Sequence, residues 1–203
     1  MRVPPQPDAV DGRLVTLERL RRIHARELLA SASDPEVWRW KLTERPRTVE
    51  EVDALVVGTL IGPDRWPFVV RRHDGRVIGS TTLGNFDMTH GCVEMGFTWL
   101  EREAWGQGYN EDIKRVLLRE CFETLGLQRV EWQVDANNER SIAALTRLGF
   151  VYEGCHRGRH RRPDGSRRDS MFFSILLDEW PATDLRLAQL IGARSREATD
   201  DNG

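Results

Sequence analysis

A strand, a glycine turn and a helix follow one another without a break over residues 99–114, Trp-Leu-Glu-Arg-Glu-Ala-Trp-Gly-Gln-Gly-Tyr-Asn-Glu-Asp-Ile-Lys. No other stretch constrains the chain as much. Residues 92–100 alternate, with Val93, Met95, Phe97 and Trp99 on one face and Cys92, Glu94, Gly96 and Thr98 on the other. That is the period of a strand with one apolar side. Ile113, Val116, Leu117 and Cys121 then recur at helical spacing, and Leu118, Phe122 and Leu125 widen the stripe. Between the two, Gly106 and Gly108 let the backbone turn sharply and meet a ligand with no Cβ in the way. The helix that follows opens with unpaired N–H groups at the positive end of its dipole. Such a turn is either a plain tight loop or an anion site, most often for phosphate. A P-loop would need Gly-Lys-Ser or Gly-Lys-Thr, and a dinucleotide fingerprint would need a third glycine where Glu111 stands.

The elements on either side complete an α+β pattern. Strands are expected over 13–17, 68–71, 77–83, 129–135, 150–159 and 169–177. Asp74-Gly75 and Asp164-Gly165 mark two hairpin turns. Helices are expected over 23–32, from Thr48 to Leu60 behind a Thr48–Glu51 capping box and ending at Gly62-Pro63, over 141–148 closed by Gly149, and over 185–191. Trp38 and Trp40 could line a substrate mouth, but are read as anchors of a short segment to the core. Residues 13–194 read as one domain, with a loose tail over 1–12 and a disordered one over 195–203. The net charge of −2 excludes a polycation, and no apolar run approaches the ~20 residues of a membrane helix. Cys92, Cys121 and Cys155 are widely spaced, which argues for reduced thiols in a cytoplasm and against a metal site.

Two motifs in order carry a family resemblance. The window Trp105-Gly106-Gln107-Gly108-Tyr109-Asn110 resembles the pyrophosphate loop of the GCN5-related N-acetyltransferases (GNAT), in the form written by the RimJ/RimL-like ribosomal-protein branch. Residues 135–150, Asp-Ala-Asn-Asn-Glu-Arg-Ser-Ile-Ala-Ala-Leu-Thr-Arg-Leu-Gly-Phe, resemble the family's cofactor-side helix block. The likeness extends through residues 153–180. It implies the GNAT fold: a mixed, mostly antiparallel sheet of about seven strands, with a V-shaped splay between strands 4 and 5. It also implies acetyl-CoA as cofactor. Main-chain groups of Phe97, Trp99 and Leu100 would hold the pantetheine arm. The amides of Gln107, Gly108, Tyr109 and Asn110 would hold the pyrophosphate, and the Asn138 side chain would bond the cofactor, although Asn138 also suits a plain helix cap.

The reaction so implied moves an acetyl group to a primary amine, of a protein N-terminus or a small molecule, by direct attack. An ammonium must first lose a proton, and Glu94 on the polar strand face is the candidate base. Many relatives carry a tyrosine where this chain has Leu145, so the leaving thiolate needs another donor, and Ser141 is the candidate. Glu111-Asp112 departs from the branch's usual Thr-Glu, and both are expected to point outward. The arginines of residues 157–168 form a basic hairpin without interleaved aromatics, which argues against nucleic acid. The hairpin could instead draw in an acidic acceptor, or simply pair with the chain's own acids. No membrane partner is expected, and the tryptophans are compatible with a homodimer. A non-catalytic acyl-CoA-binding module, or transfer of another acyl group such as succinyl, stands as the alternative.

Overall fold

The structure, a computed structural model, describes residues 3–60, 62 and 64–200, with side chains 59–60 and 195–200 excluded. Eight strands form one sheet in the order β1-β2-β3-β4-β5-β6-β8-β7. They are β1 (Ala9–Asp11), β2 (Val15–Arg19), β3 (Arg65–Arg72), β4 (Val77–Asp87), β5 (Cys92–Leu100), β6 (Arg129–Asp135), β7 (Val151–Arg161) and β8 (Arg167–Leu176). Every pairing is antiparallel except that of β5 with β6. The helices are α1 (Ala25–Ser31), α2 (Val49–Leu55), α3 (Tyr109–Arg119), α4 (Glu139–Leu148) and α5 (Trp180–Asp200). One core cluster joins Leu17, Phe68, Met95, Ile113, Leu117 and Phe173; a second joins Leu28, Trp38, Val52 and Trp99 on the other side of the sheet.

The strand count exceeds the expectation by one because part of the N-terminal segment is not loose. β1 pairs with β2, Gln6 Nε2 donates to the Pro67 carbonyl at 2.7 Å, and Pro4 O accepts from the Trp66 indole at 3.2 Å. At the other end the helix expected over 185–191 runs on, and its backbone stays helical through Asp200, so the disordered tail expected from 195 is not found there. Residues 1–2 and 201–203, ends of the two expected tails, lie outside the described residues. Leu60 and Pro63, at the expected end of the second helix, lie there in side chain and as a whole respectively; the α-helix itself stops at Leu55 and gives way to a wider turn, Val56–Leu60. Ile23, expected on the packed side of a helix, is 77 % exposed because the chain enters α1 through a tight turn, Arg22–His24.

Two features of the sheet create the site. β5 and β6 pair only at Cys92↔Arg129, Val93↔Val130 and Glu94↔Glu131, then diverge. In the diverging part β5 carries a bulge: Ser80 faces Trp99 and Thr82 faces Gly96, so Phe97 and Thr98 share one partner. Phe97 sits there at φ 51°, a region that non-glycine residues seldom adopt and that clusters at functional sites. Gly79 on β4 lets the two strands close past the bulge, since a Cβ on it would stand 2.0 Å from the Trp99 carbonyl oxygen.

Candidate active site

The splay opens into a cavity of about 760 Å³. Its floor is β5 from Glu94 to Leu100, its sides are α3 with α4 and the chain around Trp40-Lys41, and β6 and β8 close the far end. Phe97, Trp99, Leu100, Asn110, Asn138, Glu94 and Ser141 all line it. Gln107, Gly108 and Tyr109 do not line it; they form the turn beside its mouth, with Gly108 packed toward Leu14 and Arg194 and the Tyr109 ring under Arg72 at 5.8 Å.

The turn presents main-chain donors. Gly108 is the N-cap of α3 at φ 88°, a left-handed conformation that suits glycine, and no side chain caps the helix. Among the described residues, the N–H groups of Gln107, Gly108, Tyr109, Asn110 and Glu111 meet no backbone or side-chain acceptor. Asp112 does not cap its own helix either. It is 1 % exposed and accepts from the N–H groups of Arg13, Leu14 and Val15 at 3.1, 2.6 and 3.2 Å, which ties the start of β2 to α3. Glu111 is 6 % exposed and pairs with Arg147 of α4. The expectation that this acidic pair points outward is therefore corrected: one acid satisfies strand donors and the other a guanidinium, and burial is tolerated because each has a partner.

Asn138 is the N-cap of α4, its Oδ1 accepting from Ser141 N at 3.2 Å. The capping alternative for Asn138 is thus realised, and its side-chain nitrogen is the part left to face the cavity. On β5, the Leu100 carbonyl accepts from the Trp105 indole at 2.9 Å and the Thr98 carbonyl from Lys41 Nζ, so two of the main-chain acceptors near the splay are already engaged by side chains. The Trp99 carbonyl faces β4 instead, as its approach to Gly79 requires. Trp38 anchors against Trp99 with ring centroids 5.2 Å apart, while Trp40 lines the cavity, so the two indoles divide the roles considered for them.

Glu94 is held by a polar chain. Its Oε2 accepts from Asn85 Nδ2 at 2.8 Å and from Gln133 Nε2 at 3.1 Å, and Gln133 Oε1 lies 3.2 Å from His160 Nε2. Burial pushes the Glu94 pKa up and Glu131 across the strand pair adds to it, against the two amide hydrogen bonds. Burial, with Arg168 and Arg159 nearby, pushes His160 down. Asn85, Gln133 and His160 were missed in the sequence. The alternation of β6, which puts Glu131 and Gln133 on one face and buries Val130 and Trp132 on the other, carries the signal for Gln133. Leu145 is 2 % exposed and offers only hydrocarbon to the cavity, one turn beyond Ser141.

The cavity is also cationic. Lys41, Arg65, Lys114, Arg140, Arg147 and Arg168 line it against Glu94, Glu111 and Asp135. Arg140 stacks on the Trp105 ring, 3.2 Å from its centroid, and Lys114 donates to Asn110 Oδ1 at 2.8 Å. Burial lowers the pKa of Lys114 to about 8, and that of Lys41 to about 7 with Arg168, Arg140 and Lys114 adding to the effect. Within the basic hairpin, Arg162 turns inward onto Asp135 with bonds of 3.0 and 2.7 Å, so part of its charge does pair with the chain's own acids. Among the described residues no helix is long and apolar enough to cross a membrane.

The family described as Acetyltransferase (GNAT) domain matches residues 14–151. A candidate ribosomal N-acetyltransferase, YdaF of Bacillus subtilis, is 34 % identical over 108 residues, 53 % of this chain and 58 % of its own length, so the chain matches little more than half of that relative. An N-acetyltransferase of Bacillus licheniformis, p20, is 29 % identical over 82 % of this chain and 94 % of its own. A crystal structure of a candidate acetyltransferase from T. thermophilus superposes with a TM-score of 0.85 at 36 % identity, over 92 % of this chain and 98 % of that one. The crystal structure of Mycobacterium smegmatis RimJ with CoA-disulfide shares the fold, with a TM-score of 0.76 at 24 % identity over 90 % and 94 % of the two chains.

Proposed function

The chain belongs to the GNAT acetyltransferase family, and from that premise we propose that it moves the acetyl group of acetyl-CoA to a primary amine by direct attack in a ternary complex. One observation carries the reading. A row of bare N–H groups at the start of α3 leads to an unzipped strand edge, and that edge leads to a half-buried carboxylate. A diphosphate suits the first, an extended amide-bearing arm the second, and an amine losing its proton the third. Asn110, Lys114 and Arg140 bring polar and cationic side chains to the same wall. Three free cysteines fit a cytoplasmic protein.

The division of labour follows from position. The N–H groups of Gln107, Gly108, Tyr109 and Asn110 bind the diphosphate. The splayed edge of β5 around the bulge at Phe97-Thr98 would hold the pantetheine arm. Acetyl-CoA supplies, when bound, an activated acyl group with a thiol leaving group. Glu94, with its pKa raised by burial, takes the proton of the acceptor ammonium, and Asn85 and Gln133 hold its carboxylate in place. Ser141 is the proposed donor to the departing thiolate, a reading supported by its lining the cavity in the first turn of α4.

The competing reading, a non-catalytic acyl-CoA-binding module, draws on Leu145, which cannot donate a proton. Titration calorimetry with acetyl-CoA, followed by thiol release on a panel of primary amines, separates the two. Heat of binding together with release supports the enzyme. Binding with no release on any amine supports the module, and no heat with any acyl-CoA removes both.

A further inference from the structure

Two cations at the far end of the cavity are only weakly answered by acids. Arg168 on β8 is 7 % exposed and lines the cavity, and its Nε is buried with no hydrogen-bond partner. Its nearest carboxylate oxygen, Asp135 Oδ2, stands 3.8 Å away and is already held twice by Arg162. Lys41 lines the same space, and its ammonium donates to a neutral acceptor, the Thr98 carbonyl. Arg168 is close enough to depress the pKa of Lys41, and Glu94 is close enough to support the charge of Arg168. Leaving a buried guanidinium and a half-buried ammonium this poorly compensated is costly unless a ligand completes them.

The cations sit apart from the turn that suits the diphosphate. Arg168 comes from β8, near Glu94 and His160, and Lys41 comes from the chain before α2, reaches the Thr98 carbonyl and stands near Arg168, Arg140 and Lys114. Lys41 also forms the back of a second hollow of about 340 Å³, between residues 38–47 and the β7–β8 turn, where Arg39, Arg45, Arg47 and Arg162 outnumber Glu44 and Asp164. An anion approaching from that side meets favourable potential along its path.

Resting on the acetyl-transfer reading, we propose that the acceptor is an amine that also carries a carboxylate, of the amino-acid type, with its carboxylate between Lys41 Nζ and the Arg168 guanidinium and its amine at Glu94. The ammonium gives its proton to Glu94. Its nitrogen lone pair forms the C–N bond to the acetyl carbon, and the C–S bond breaks as the carbonyl re-forms. The departing thiolate takes a proton from the Ser141 hydroxyl or water, which recovers it from the proton that the new amide nitrogen sheds. Arg168 and Lys41 are positioning residues for this step. An Arg fork suits a carboxylate better than an ammonium does.

The test measures thiol release by the full chain with acetyl-CoA, using the common amino acids, their carboxamides and simple alkylamines. Amino acids are expected to exceed their own amides in kcat/KM by about 10–100-fold, the value of hydrogen bonds to a buried charged group. Arg168→Gln is expected to remove that preference by raising KM for the acids about tenfold more than for the amides, and Arg168→Lys to restore part of it. The wild-type comparison needs no variant, so misfolding of Arg168→Gln would not shield the proposal. Equal use of acids and amides overturns the carboxylate assignment and leaves acetyl transfer standing. A carboxylate preference that moves to the acyl donor, with succinyl-CoA favoured and amides accepted, overturns it as well. Thiol release on no amine at all removes acetyl transfer and this assignment together.

Discussion

At the turn that opens α3 the groups offered to a ligand belong to the main chain, whereas along the wall made by residues 38–42 and β8 they are the ends of long side chains. The first wall is set by local conformation: Gly108 at positive φ, a helix start without a cap, and Asn138 closing the first turn of α4. The second wall exists only because Lys41 and Arg168, 127 positions apart in sequence, are folded onto the same cavity. A main-chain wall recognises what every cofactor of one class shares, and it resists substitution because no side chain carries the contact. A side-chain wall recognises what distinguishes one acceptor from another, and a single replacement can rewrite it.

The sharpest way to break this comparison lies between the walls. Glu94→Gln is expected to lower kcat by about 10²–10⁴-fold while the calorimetric affinity for acetyl-CoA stays within about twofold. The carboxylate works as the anion, and burial raises its pKa, so activity rises with pH through a point above the ordinary ~4.3 of a free Glu side chain. That acidic limb is absent from the pH profile of the variant. An unchanged profile would take Glu94 out of the chemistry.

A smaller effect is expected at the root of the main-chain wall. Asp112→Ala leaves the N–H groups of Arg13, Leu14 and Val15 without their acceptor and opens space beside Gly12, at a cost of about 3 kcal/mol in urea unfolding. Turnover of the folded fraction is expected to stay close to that of the parent. A stability loss below about 1 kcal/mol would mean that water replaces the carboxylate there. Gentlest is Gly108→Ala. The left-handed φ disfavours a Cβ by about 1–2 kcal/mol, and Leu14 and Arg194 atoms would stand 3.4 Å from it. The loss is expected mainly as an acetyl-CoA affinity about tenfold weaker, with kcat nearly unchanged. A drop in kcat alone would place the turn in catalysis rather than in cofactor binding.

What was legible follows the range of the interactions. Strand β5, the glycine turn, α3 and the 135–150 block were readable because period, capping and left-handed glycines depend on neighbours a few residues apart. The polar face of β5 pointed to Glu94 for the same reason. The hydrogen bonds that hold Glu94 could not be read this way: Asn85 lies on β4 and Gln133 on β6, and their meeting depends on a strand register that bulges. Glu111 and Asp112 show the same limit. Acidic residues in a first helical turn favour the dipole wherever they point, and only the packing of β2 and α4 against α3 turned them inward.

By itself, then, the sequence determined the order of strands and helices and the place of the glycine turn, which are written in local backbone preferences, and the family of the fold through the resemblance of two motifs. Tertiary structure alone decided which charges face the cavity, because Lys41, Arg168 and His160 come from three separate segments and have no periodicity in common. Their meeting in one cavity, with cations outnumbering acids, is a property of the sheet and its splay, and of no stretch of chain taken alone.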